Sequence, residues 1–129
     1  MSPARNHAKR WAWVAFVAAV IAHLVVLYWP RQVSDGGIPY ADKVVHLGIF
    51  AVVVIAGARA GVPLSWLVGV LAVHAVSSEL VQHWFLANRA GDPADVAADL
   101  VGVAIGAVVA VKMRGTGVAS TRSGGSLSS

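Results

Sequence analysis

Cysteine is absent from this chain, and acids are scarce: aspartate and glutamate together number 6, against 10 lysines and arginines. The first absence excludes disulfides, thiolate nucleophiles and cysteine-ligated metal sites. It carries no information on redox compartment, because a membrane-embedded chain needs no covalent staple. Charge of either sign is thin as well. Only 12% of the 129 residues are charged while 57% are hydrophobic, and the mean hydropathy is +0.71. A soluble domain of this size exposes much of its surface to water and needs more polar residues than that. The apolar residues fall into long runs rather than alternating or amphipathic patterns, so the expected class is all-α: an integral membrane bundle.

Four runs are long enough to cross a bilayer. The first covers residues 11–29, broken only by His23, with Trp11 and Trp29 at its ends in the manner of interfacial anchors. It follows the basic segment 1–10 and ends in Tyr28-Trp29-Pro30 without a small-residue cleavage site, so it reads as a retained span rather than a signal peptide. Residues 30–42 hold Pro30, Gly36, Gly37 and Pro39, the composition of a loop. A second span is expected over 43–61, with Asp42 as its N-cap, and a third over 63–85, with Pro63 at its first helical position. A short turn at 88–92 leads to a fourth over 93–111, where Asp92, Pro93 and Asp95 read as N-cap, N1 and N3 of a capping box. Residues 113–129, rich in Gly, Ser and Thr, are expected to be a disordered tail.

Four spans put both ends on one side of the membrane. Arg5, Lys9, Arg10, Arg59, Lys112, Arg114 and Arg122 fall on that side with no acid among them. All six acids fall on the other, with only Arg31, Lys43 and Arg89 as basic residues. The positive-inside rule therefore predicts cytoplasmic termini and a multi-pass protein of the plasma membrane.

Charged residues inside a span are costly unless paired or hydrated, and here they gather. Glu79, Gln82 and His83 are spaced i, i+3, i+4 near the end of span three. Asp95, Asp99, Gly102 and Gly106 form a stripe on span four, a carboxylate pair leading into small residues that permit close packing. Asp42 and His46 lie one turn apart on span two, with Lys43 beside them. By helical rise Glu79 and Asp99 sit at similar depth, about 8–10 Å below the helix ends, with Arg89 in the connecting loop as the expected counter-ion.

Plainer readings stand beside these. Capping accounts for Asp92 and Asp95, and packing accounts for Gly102 and Gly106. Glu79 with Arg89 reads equally as an ion pair closing the bundle or as part of a ligand site. His23 and His74, alone in apolar runs, are expected to hydrogen-bond across helices. Asp99 has no such account: it lies below the cap, has no base in its own helix, and needs a proton, water, Lys43, His46 or Arg89 to be tolerated.

The ordered set Asp42-Lys43-x-x-His46 with Phe50, Glu79-x-x-Gln82, Arg89, Asp95 and Asp99-x-x-Gly102-x-x-x-Gly106 resembles the VanZ-like family over about residues 40–110. These are small multi-pass membrane proteins named after an accessory factor in resistance to the glycopeptide teicoplanin. The family usually has Asn where Asp99 stands, so this chain carries an extra potential anion. The resemblance implies a helical membrane bundle in which Asp42, Lys43, His46, Glu79, Gln82, Arg89 and Asp95 share a site, and a role in the cell envelope. It supplies no reaction.

Three functions compete. In the first, the outward-facing cluster binds or modulates an envelope lipid, cell-wall precursor or glycopeptide-related ligand. In the second, an enzyme acts on an envelope lipid, with Glu79 or Asp99 as general base and His46 as its partner. No nucleophile or cofactor motif supports it, and a metal set of His46, Glu79, His83 and Asp99 has suitable residue types without diagnostic spacing, so no cofactor or metal is expected. In the third, the polar network fixes helix register in a subunit that serves a partner, or in a homo-oligomer formed through Gly102 and Gly106. Neither transport nor nucleic-acid binding is expected: there is no broken helix or repeat, and the pI of about 10.1 reflects the basic ends.

Overall fold

The computed structural model describes residues 3–29, 40–86 and 92–123. These residues form four helices: α1 (Pro3–Tyr28), α2 (Ala41–Ala60), α3 (Leu64–Phe85) and α4 (Pro93–Ser123). Each contains a stretch long and apolar enough to cross a membrane. The solvent preference of the surface agrees. Val, Ile, Leu, Trp and Phe side chains stand exposed along all four helices, whereas His23, His46, Ser78, Glu79, Gln82 and Asp99 are buried. Apolar side chains outside and polar ones inside is the arrangement lipid requires, and the chain is a multi-pass membrane protein.

α2 is the central helix, packing most extensively on α4, next on α1, and less on α3, which leans chiefly on α4. Its apolar face supplies Phe50, Val53 and Val54 to a core completed by Leu27, Leu71, Ala75 and Val103. The glycine stripe of α4 explains the tight α2–α4 contact. A Cβ at Gly102 would overlap the Leu47 carbonyl, and one at Gly106 would lie 2.8 Å from Val54 Cβ and 2.9 Å from the Ala51 oxygen. The stripe is thus filled by α2 of the same chain, and a homo-oligomer built through that face would have to displace it.

Helix ends depart from the sequence expectations in instructive ways. Asp42 is not the N-cap of α2: Tyr40 is, in the left-handed region at φ 64°, and its carbonyl accepts the Val44 N–H. Pro63 is the N-cap of α3 rather than its first helical residue, with ψ 130° and its carbonyl accepting from Trp66 and Leu67. Between these helices Gly61 adopts φ 93°, and the N–H groups of Gly61 and Val62 bond back to Ala58 and Gly57 in a Schellman closure. α1 begins within the basic segment, and α4 runs past Val111 and through the expected tail as far as Ser123. Arg89 and most of the loop expected at 30–42 lie outside the described residues, as do residues 124–129.

Candidate functional site

The polar residues collect where α2 and α4 begin and α3 ends. Both α2 and α4 start at this end, so they run parallel, and equivalent turns face each other: Lys43 meets Asp95, His46 meets Asp99, and Ala51 meets Gly106. Exposed Trp29, Tyr40, Trp84 and Phe85 surround this end, as expected of a bilayer interface.

The outer layer of the site is a lysine held by three carboxylates. Lys43 Nζ donates to Asp42 Oδ2 at 3.0 Å, Asp92 Oδ2 at 2.8 Å and Asp95 Oδ1 at 2.6 Å. The ammonium has three donors and all are used. Lys43 is thus the counter-ion of this acidic layer among the described residues; Arg89, the counter-ion expected from the sequence, lies outside them. Asp92, just outside α4, caps it through Oδ1 to the Ala94 N–H, and its carbonyl accepts the Asp95 N–H. The Lys43 ammonium also holds the Asp92 carboxyl below its ordinary value. Only half of the capping box is made. The Asp92 N–H that Asp95 was expected to satisfy goes instead to Glu79 Oε2 at 2.9 Å, which frees Asp95 for Lys43.

One turn deeper lies a second layer. His46 Nδ1 is 2.9 Å from Asp99 Oδ1, and Asp99 is completely buried. Glu79 is buried beside them, and candidate ligand atoms of His46, Glu79 and Asp99 fall within 4.8 Å of one another. Among the described residues Glu79 Oε1 and Asp99 Oδ2 have no hydrogen-bond partner. Buried polar atoms are normally satisfied, so two orphaned oxygens in one cluster mark an incomplete arrangement.

Two expected members lie elsewhere. Gln82 is buried, but its Nε2 donates to the Leu27 carbonyl at 3.0 Å, tying α3 to α1. His83 is exposed, so the i, i+4 spacing from Glu79 did not bring it into the site. Among the described residues Nε2 of His74 is buried without a hydrogen-bond partner, and the His23 ring on α1 lies against the Ile49 backbone on α2. The two rings lie 5.2 Å apart, with Phe50 edge-on to His23 at 4.5 Å. They border a cavity of 260 Å³ otherwise lined by aliphatic side chains. Apolar flanks gave no sign that two distant histidines would pair.

Among the described residues the arrangement shows no hydroxyl held by a general base. The hydroxyls of Ser77 and Ser78 donate to the carbonyls of His74 and Ala75 in their own helix, and His46 faces a carboxylate. In comparisons with known proteins, the chain matches no family model, no curated protein and no solved structure.

Proposed function

We propose that this chain is a VanZ-like membrane protein of the cell envelope that binds or modulates an envelope lipid or cell-wall precursor through the cluster on α2, α3 and α4. One observation carries the reading: Glu79 Oε1 and Asp99 Oδ2 are buried at the membrane-interface end without partners among the described residues. A buried network that served only to fix helix register is expected to have its acceptors satisfied. Incomplete bonding at this depth suits a site that a ligand completes. The ring of Trp29, Tyr40, Trp84 and Phe85 would set the cluster at headgroup level.

The charge distribution supports an outward-facing site. Arg5, Lys9, Arg10, Arg59, Lys112 and Arg114 gather at the other end of the bundle, which the positive-inside rule places in the cytoplasm of a plasma-membrane protein. Binding is favoured over catalysis because the sequence carries no nucleophile or cofactor motif, and the hydroxyls of Ser77 and Ser78 donate to carbonyls of their own helix. Glu79→Gln and Arg89→Ala variants test the reading. Expected are normal folded membrane yield, loss of co-purifying lipid or precursor, and an altered response to glycopeptide challenge. Unchanged co-purification and response in both variants would sink it.

A further inference from the structure

His46, Glu79 and Asp99 come from three different helices, yet one candidate ligand atom from each lies within 4.8 Å of the other two. Each side chain is anchored on one side only. Glu79 Oε2 accepts the Asp92 N–H and Asp99 Oδ1 faces His46 Nδ1, while Glu79 Oε1 and Asp99 Oδ2 are buried with no donor among the described residues. Glu79 is 6% exposed and Asp99 0%. Among the described residues the nearby cation is Lys43, and all three of its donors are bound to Asp42, Asp92 and Asp95.

We propose that His46, Glu79 and Asp99 form a binding site for a divalent first-row metal ion, zinc or manganese. Charge is the first reason. A dication cancels the two carboxylates and leaves a neutral imidazole, so the buried layer becomes electroneutral where lipid tolerates no net charge. Ligand chemistry is the second. One imidazole nitrogen and two carboxylate oxygens, in a chain without cysteine, form a mixed N/O set that suits zinc or manganese rather than soft metals.

Geometry is the third reason. Ligand atoms around one zinc ion lie roughly 3.3 Å apart at bond lengths near 2.0–2.2 Å. Side-chain rotation therefore suffices to close the observed spacing. The Asp92 N–H on Glu79 orients that carboxylate from outside, as supporting hydrogen bonds do at metal centres. Asp42 and Asp92 are partly exposed at the rim, where three carboxylates around one lysine leave a net negative charge that favours an approaching cation. Three protein ligands leave at least one coordination position for an exogenous oxygen.

The test uses the full chain in detergent micelles, purified through a histidine-free tag, stripped with chelator and titrated with zinc or manganese alone against a chromophoric chelator. Bound metal is counted by elemental analysis after gel filtration. Wild type is expected to retain one ion per chain. His46→Gln, Glu79→Gln and Asp99→Asn, which preserve side-chain size, should each weaken binding by roughly 100-fold or more, beyond what losing a supporting contact does. His83→Ala should bind as wild type does. X-ray absorption at the metal edge should report only N/O neighbours, with imidazole scattering that His46→Gln abolishes. Wild-type protein that retains no metal above the buffer blank overturns the proposal, as does full retention by all three variants. No lipid is added, so these outcomes are separate from those of the lipid-binding reading.

Discussion

Replacing Gly102 with alanine tests the packing that brings the site together. A Cβ there runs into the Leu47 carbonyl, which is helix backbone and cannot rotate aside. α2 and α4 must therefore separate locally, at a cost of about 1–3 kcal/mol for overpacking a close contact. Alanine's better helix propensity returns at most about 1 kcal/mol. The control is Gly48→Ala on α2, where a new Cβ meets nothing within 4 Å. That substitution should stabilise by about 0.5–1 kcal/mol, so the two variants should differ by roughly 2 kcal/mol. Reversible unfolding in bicelles, followed by far-ultraviolet circular dichroism, measures both. If Gly102→Ala is as stable as Gly48→Ala, the close α2–α4 approach is wrong, and the pairing of His46 with Asp99 one turn away loses its basis.

Lys43→Met leaves Asp42, Asp92 and Asp95 facing one another, and should destabilise by roughly 1–3 kcal/mol at neutral pH; thermal unfolding near pH 4 should show part of that loss relieved as the carboxylates gain protons. The Asp92 carboxyl, held by Lys43 below its ordinary 3.8, stabilises the fold fully above that value and loses its contribution as pH falls through its lower folded value. The stability difference between wild type and Asp92→Asn should accordingly be constant from about pH 7 to 5 and shrink below about pH 4. Asp99→Leu strands a buried His46 nitrogen and should cost about 1–3 kcal/mol, whereas Asp99→Asn can keep the contact and should cost less; chemical unfolding of both decides. Gln82→Leu removes the α3–α1 tie to Leu27 and should lower unfolding free energy by about 1 kcal/mol without changing metal retention.

Much of this architecture was legible in sequence because lipid imposes simple demands. Unbroken apolar length located all four helices, and the Asp95-Asp99-Gly102-Gly106 spacing correctly put two acids and two small residues on one face. What spacing cannot encode is the partner of each group. Asp95 looked like a capping residue, yet it holds Lys43 because Glu79, from another helix, takes the Asp92 N–H. Gln82 and His83 seemed to share the Glu79 face, but they are adjacent residues and diverge by a full helical step, so one turns toward α1 and the other stays exposed. The Tyr40 and Pro63 caps were missed for a different reason. Their carbonyls, rather than a side chain of the expected capping type, begin the helices.

The glycines and the acids of α4 act as one device. Aspartate is short, and its carboxylate reaches a neighbouring helix only where the two backbones lie close. Gly102 and Gly106 permit that approach by meeting Leu47 and Ala51 backbone without a Cβ between them. Because α2 and α4 run parallel, the same close register continues upward, setting Asp99 against His46 and then Asp95 against Lys43. A longer acid, Glu79, serves on α3, which packs less extensively on α2. Exchanging Asp99 for Glu should therefore crowd the α2–α4 contact rather than extend the site, losing stability with no gain in bound metal.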